Sequence, residues 1–148
     1  MTIATASTET VVRHHLRAFL EQKGIDAIVG DSDDHAIFLS EAKMYRGKHD
    51  IAGFFTDFLV SLPARAIERF TLGTLRVEQD VAYITWCVGD DIPLGTDTLV
   101  VRDGQIVSQT FAMYVAASAS PPDRAGHRRP EARQVVAPAG SVDSSFGN

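Results

Sequence analysis

Three side chains have the types and surroundings to move protons, Asp97, His15 and His35, and a fourth, Gln109, could orient the carboxyl or the oxygen of a substrate. Asp97 and Gln109 stand in the stretch 95–115, G-T-D-T-L-V-V-R-D-G-Q-I-V-S-Q-T-F-A-M-Y-V, where apolar and polar residues roughly alternate on both sides of Asp103-Gly104. Asp-Gly between two alternating runs signals a β-hairpin. A two-residue loop would mix apolar and polar side chains on both faces. A three-residue loop, Arg102-Asp103-Gly104 with Gly104 left-handed, groups Leu99, Val101, Val107, Phe111 and Met113 on one face. Thr98, Val100, Arg102, Ser108, Thr110 and Tyr114 then share the other. The three-residue loop is the expected register, and it sets Asp97 and Gln109 on the apolar face. A carboxyl group there must find hydrogen bonds or keep its proton to a higher pH. Either outcome suits a general acid or base working near neutrality. The alternative is a rim carboxylate, solvated or capping a neighbouring loop.

The histidines come earlier. Residues 8–22 carry Val11, Val12, Leu16, Phe19 and Leu20 at the spacing of an amphipathic helix, with Ser7 or Thr8 as its cap. His15 borders the apolar stripe beside Val12 and Phe19. His35 ends D-S-D-D-H, 31–35, which has the look of a metal loop but fails the test. The calcium-loop pattern needs Gly at its sixth position and Glu at its twelfth, and Ala36 and Ala42 stand there. Zinc would need a second ligand cluster, and the chain has no H-x-H, H-E-x-x-H or cysteine pair. No metal and no cofactor is expected; 31–35 reads as a solvated loop leading into a strand.

The elements that must position these groups follow from the rest of the pattern. Lys23-Gly24 ends the first helix, and 25–30 forms a short second one with Ile25, Ile28 and Val29 turned inward. A short strand over 36–40 and its return over 43–46 come next. Gly47 breaks that run, and 50–62 is a helix whose face carries Ile51, Phe54, Phe55, Phe58, Leu59 and Leu62, read as core. Pro63 closes it. Residues 67–78 form a long strand whose apolar parity changes at Gly73, the mark of a bulge. Residues 81–88 are the next strand, apolar on both parities, so either Trp86 or Tyr83 faces inward. Helices followed by antiparallel strands make an α+β layer fold. The sheet bends around the long helix into a cone whose open mouth is the place for a small-molecule pocket.

Composition bounds the partners. The chain of 148 residues is 45% hydrophobic and 22% charged, which suits one globular domain with a real core. A net charge of −5 disfavours nucleic acid and anionic membranes. The lone Cys87 cannot make an intrachain disulfide, and no stretch is long and apolar enough to span a bilayer, so a cytoplasmic setting is expected. Residues 117–148 hold four of the six prolines and no Leu, Ile, Trp or Tyr. Such a segment is expected to be a disordered tail beyond a domain at 8–116. Its arginines and His127 are nearly balanced by acidic residues, so no anion site is expected there.

Several motifs in order carry a resemblance: I-D-A-I-V, then D-D-H-A-I-F-L, M-Y-R-G-K-H-D-I-A-G-F-F, V-A-Y-I-T-W and the hairpin G-T-D-T-L-V-V-R-D-G-Q-I-V-S-Q-T-F. Together, over about 9–115, they resemble the SnoaL-like branch of the nuclear transport factor 2 superfamily. The resemblance implies a cone-shaped α+β barrel with a bent antiparallel sheet. It also implies a cofactor-free acid–base enzyme of polyketide cyclase or isomerase type, or a non-catalytic ligand-binding or pairing module. The substrate would be a small, apolar, oxygenated metabolite. A homodimer through the outer sheet face is implied as well, since Thr98, Val100, Thr110, Ala112 and Tyr114 leave that face only half polar.

Carried over residue by residue, the isomerase pattern puts its base near Ser40, its tyrosine near Leu16 and its protonated acid at Asp97, and only the acid survives. An epoxide-hydrolase relay would need an arginine beside Asp97, but Arg102 faces away in the expected register. A cyclase would use Asp97 as proton shuttle with His15 or His35 assisting. Ser32 stands where relatives often place a pocket tyrosine. The pocket wall is expected from Leu16, Phe19, Ser32, Ser40, Tyr45, Phe54 and Phe58 on the helical side. Trp86, Leu99, Gln109, Phe111 and Met113 complete it from the strands.

Overall fold

The computed structural model describes residues 1–117. The expectation of a disordered tail at 117–148 therefore lies, but for Ala117, outside the described residues. Helix α1 (Ile3–Leu20) starts before Thr8, because Thr2 is its cap: the Thr2 hydroxyl accepts from the Thr5 amide at 3.1 Å. Thr5 and Thr8 are helical and buried, not caps. The Thr8 hydroxyl donates to the Gln79 carbonyl at 2.7 Å, and the Gln79 amide donates to the Thr5 hydroxyl at 2.9 Å. These bonds pin the helix to a strand turn where Gln79 itself is left-handed.

Helix α2 (Ile25–Val29) buries Ile28 and Val29. Strand β1 (Ser32–Leu39) then begins earlier than the sequence suggests. The acidic stretch 31–35 is not a loop: Ser32 pairs with Ile106, the Asp31 carbonyl accepts from the Ile106 amide at 2.7 Å, and the ladder is irregular up to Ile37. An Asp33 carboxylate oxygen accepts from the His35 amide across that irregularity. Strand β2 (Met44–Arg46) pairs back on β1, and helix α3 (Gly47–Ser61) follows at a left-handed Gly47 (φ 80°). The segment 67–69 is helical as well, within α4 (Ala66–Arg69), so the strand expected from 67 starts only at Phe70. The Ala66 and Arg69 amides bond to the Pro63 and Arg65 carbonyls, which coils the chain before the sheet can take it.

Strands β3 (Phe70–Glu78), β4 (Val81–Val88), β5 (Ile92–Arg102) and β6 (Gln105–Tyr114) complete a sheet in the order β2-β1-β6-β5-β4-β3. The four long strands run antiparallel, as expected, while β1 joins β6 in parallel. Three bulges curve the sheet. One is at Gly73, where the parity change predicts it; a second lies near Pro93 in β5; the third is at Val107 in β6. The result is an α+β fold with a curved, unclosed six-stranded sheet and four helices. Helix α1 packs against β3, β4 and β5, and α3 against β1 and β2.

The hairpin corrects one detail and keeps its consequence. Arg102 pairs with Gln105, so the loop is the two residues Asp103 and Gly104, both left-handed (φ 51° and 75°), not a three-residue loop. The extra residue sits further along, at Val107, and exchanges the faces there. Ile106, not Val107, therefore joins Leu99 and Val101 in the core, and Asp97, Gln109, Phe111 and Met113 keep the inner parity expected of them.

Candidate functional site

The inner face of β4–β6 meets α1, α3 and α4 around an apolar cavity. Its sheet wall is Ile84, Trp86, Val88, Asp97, Gln109 and Phe111. Its helical wall is His15, Leu16, Phe19, Phe55, Phe58, Leu62, Ala66, Ile67 and, at the start of β3, Phe70. The space open to the centre of a water-sized sphere is about 40 Å³, room for roughly three waters at 10–15 Å³ each.

Asp97 is buried, 6% exposed, and neither carboxylate oxygen is left bare. The Trp86 indole Nε1–H donates to Oδ1 at 2.8 Å, and the Gln109 amide Nε2–H donates to Oδ2 at 2.8 Å. Strand parity brings the three together. Asp97 pairs with Phe111 on β6 and with Ile84 on β4, so Gln109 and Trp86 are each displaced by two residues on the same face. Burial lifts the Asp97 pKa from 3.8 to about 6, and the two donors, which favour the ionised form, hold it from rising further. The carboxyl thus changes protonation within a pH unit of neutrality.

One glycine makes the arrangement possible. Gly95 pairs with Trp86, and a Cβ on it would overlap Cε2, Cζ2 and Cδ2 of the indole. The ring therefore rests on bare backbone, and from there its N–H reaches Asp97. Phe70 stacks on the indole at 5.5 Å and Phe111 tilts against it at 5.9 Å.

His15 faces the cavity from α1. Its Nδ1 stands 3.0 Å from the Ile28 carbonyl, and a carbonyl only accepts, so Nδ1 carries the proton and Nε2 the lone pair. Burial lowers its pKa, only partly offset by that bond and by Asp31. A neutral imidazole of fixed tautomer results. Its ring stands edge-on to Phe55 at 5.8 Å.

The cavity gathers Asp97, His15, Gln109, Leu16, Phe19, Phe58, Trp86 and Phe111 from the residues singled out in the sequence. It does not gather the others. His35 is exposed on β1. Ser32 is buried away from the cavity, and Ser40 closes the β1–β2 turn through Lys43. Tyr45 and Phe54 pack with Phe38 in a neighbouring aromatic cluster, while Leu99 is fully buried core and Met113 packs at its margin. Arg102 is exposed and faces Asp80, so no arginine joins Asp97. Sequence reasoning missed Phe55, Leu62, Ala66, Ile67, Phe70, Ile84 and Val88 as wall residues. Phe55 and Leu62 were legible on the helix stripe; Ala66 and Ile67 depend on α4, which no sequence signal announced.

A curved, unclosed sheet roofed by helices gives the chain the nuclear transport factor 2-like fold of the SnoaL-like and ketosteroid isomerase-like proteins. Three solved structures bear this out. A nuclear transport factor 2-like protein of unknown function from Burkholderia xenovorans is 15% identical over 80% of this chain and 91% of its own, with a TM-score of 0.64. A SnoaL-like protein of unknown function from Burkholderia thailandensis is 16% identical over 74% and 95%, at 0.60. A candidate ketosteroid isomerase from Kribbella flavida is 19% identical over 85% and 92%, at 0.59. No protein-family model and no curated protein sequence matches the chain. Identities this low speak for the fold alone. Among the described residues, no helix is long and apolar enough to cross a membrane, and no three His, Cys, Asp or Glu side chains group as metal ligands.

Proposed function

We propose that the protein is a cofactor-free acid–base enzyme of cyclase or isomerase type, acting on a small, apolar, oxygenated metabolite. The observation that carries this reading is Asp97: a buried carboxyl with a pKa of about 6, oriented on both oxygens, in the wall of an apolar cavity. As carboxylate it would remove a proton from the carbon next to a substrate carbonyl. The C–H electron pair moves into the C–C bond and the carbonyl oxygen becomes an enolate. The second N–H of Gln109 Nε2, which the bond to Asp97 leaves over, would stabilise that oxygen. Asp97 then returns its proton to another carbon, giving an isomer; or the enolate carbon attacks a second carbonyl of the same molecule, whose C=O electron pair moves onto its oxygen and takes the proton from Asp97, closing a ring. His15 Nε2 is a second acceptor on the opposite wall, the role of the assisting histidine; His35, exposed, fits that role less well.

A second reading has its own support. The cavity is only about 40 Å³ and Asp97 is already satisfied by protein donors, as in a binding module that does no chemistry. Proton exchange separates the two. Cyclohexenone and acetylacetone incubated in D₂O with the protein should exchange their α-protons faster than in buffer, with a pH dependence centred near 6. Asp97→Asn should lower that rate at least ~10²-fold. Exchange at the buffer rate, or undiminished in the variant, would refute catalysis.

The outer sheet face leaves Val81, Tyr83, Leu94 and Tyr114 exposed beside Thr98, Val100, Thr110 and Ala112, which supports a homodimer through that face. Light scattering that finds a monomer at micromolar concentration rules it out. A cytoplasmic setting is supported by the lone Cys87.

A further inference from the structure

A second hollow, about 540 Å³, lies outside the cavity between the end of α1, the start of α2 and the turn from α3 into α4. Phe19, Leu62, Ala66 and Ile67 line both spaces and are therefore the partition between them. Neither compartment is sufficient alone. The inner cavity holds Asp97, Gln109 and His15 but admits only a few atoms, whereas ligand sites generally need about 300–1,000 Å³. The outer groove has that size, yet its polar residues, Gln22, Arg65 and Glu68, are all exposed rim side chains.

One side of the partition is a single turn of helix. Ala66 and Ile67 sit on the four-residue α4, entered through Pro63 and a left-handed Arg65 (φ 57°), a conformation unfavourable for a residue with a Cβ. Its ion pairs lie at the surface, Arg65 to Glu68 at 2.6 Å within the segment and Arg69 to Asp91 at 2.7 Å, while Ala66 and Ile67 seat its inner side against the core. Exposed ion pairs of this kind contribute little. An outward movement of this single turn would join the two spaces.

We propose that the cavity and the groove are the two halves of one site for an elongated, mainly apolar ligand. Its oxygenated end lies at Asp97 and Gln109, its stem crosses between Phe19 and Ile67, and its tail rests on Ile25, Leu59 and Leu62 in the groove. The proposal rests on the reading of the cavity as a ligand pocket and names the shape of what fills it. Polarity runs in the matching order: Asp97, Gln109 and His15 in the inner cavity, apolar side chains through the middle, and Gln22, Arg65 and Glu68 at the solvent rim.

The test uses the full chain and straight-chain 2-alkanones from 2-pentanone to 2-undecanone. Trp86 is the sole tryptophan and lines the inner cavity, so its fluorescence reports when the ketone end arrives. Affinity should rise about fourfold per added methylene through the longer members, as apolar surface fills the groove. Leu59→Gln or Ile25→Gln, both groove residues absent from the inner cavity, should weaken 2-undecanone at least tenfold and leave 2-pentanone unchanged. Two variants guard against one failing to fold. Affinity that levels off at the shortest ketones, no alkanone response at all, or variants that weaken short and long ketones alike would overturn the proposal. Binding does not require turnover, so chain-length dependence without proton exchange upholds the site and removes the enzyme. Exchange of small ketones without chain-length dependence does the reverse.

Discussion

The two walls of the cavity are built differently. The sheet wall carries Trp86, Asp97 and Gln109 on strands paired on both sides, so each polar atom is fixed by a ladder of backbone bonds. The helical wall carries His15 and a set of apolar side chains, and ends in a four-residue helix. Burial also drives the two walls' titrating groups in opposite directions, Asp97 upward and His15 downward, because it disfavours the charged form of each.

The comparison can be broken most directly at Asp97. Its folded pKa of about 6 exceeds its ordinary value of 3.8, so the folded state binds the extra proton between those values. The stability this group provides is full below about pH 3.8 and is lost as pH rises through about 6. The carboxamide of Asp97→Asn does not titrate, and Gln109 can turn its own amide to present an oxygen to the new NH₂ group. Chemical denaturation from pH 4 to pH 7 should therefore show Asp97→Asn gaining on the wild type by on the order of 3 kcal/mol. A constant difference across that range would show that Asp97 is not desolvated. His15 has the opposite sign: its contribution is present above its unfolded pKa and lost as pH falls through the folded one.

A smaller effect tests the rigidity of the sheet wall. Gly95→Ala forces the indole off its backbone bed and should cost about 1–3 kcal/mol. Trp86 emission should shift to the red, and carboxyl NMR should find Asp97 titrating higher, since a donor to its ionised form is lost. Trp86→Phe should raise that pKa likewise without the steric cost. Unchanged emission and titration in Gly95→Ala would mean that the wall yields after all. The smallest effect belongs to the helical side. Arg65→Ala removes an exposed ion pair and should alter stability by no more than about 0.5 kcal/mol in thermal denaturation; a loss several times larger would mean that this pair holds α4 firmly.

The same division governs what could be read from the sequence. Strand alternation around Asp103-Gly104 gave the inner placement of Asp97 and Gln109, although the extra residue proved to be Val107 and not Gly104. That shift was hidden because one extra residue gives the same parity beyond it whichever of the two places it occupies. Gly73 announced its bulge, and 81–88 is a strand over that whole span. Its inward face was not legible, since Tyr83 and Trp86 are both large and apolar; Gly95 on the next strand, small enough to receive an indole, was the available clue. Helix α4 and the early start of β1 stayed hidden for another reason. The start of β1 depends on a partner far along the chain, Ile106 for Asp31, and α4 is a single turn closed by the Ala66 and Arg69 amides, too short to show a periodic pattern.

The nesting of Trp86 over Gly95 also constrains descent. A side chain at 95 and an indole at 86 exclude each other, so neither position can change freely while the other stays. Among homologous sequences, a tryptophan at 86 should be accompanied by glycine at 95, and larger residues should enter at 95 only where 86 has first become smaller. Where that exchange has occurred, the acid at 97 has lost its indole donor. Such lineages should have either replaced the acid or recruited another hydrogen-bond donor, making the pair 86 and 95 a marker for which members of the group retain this site.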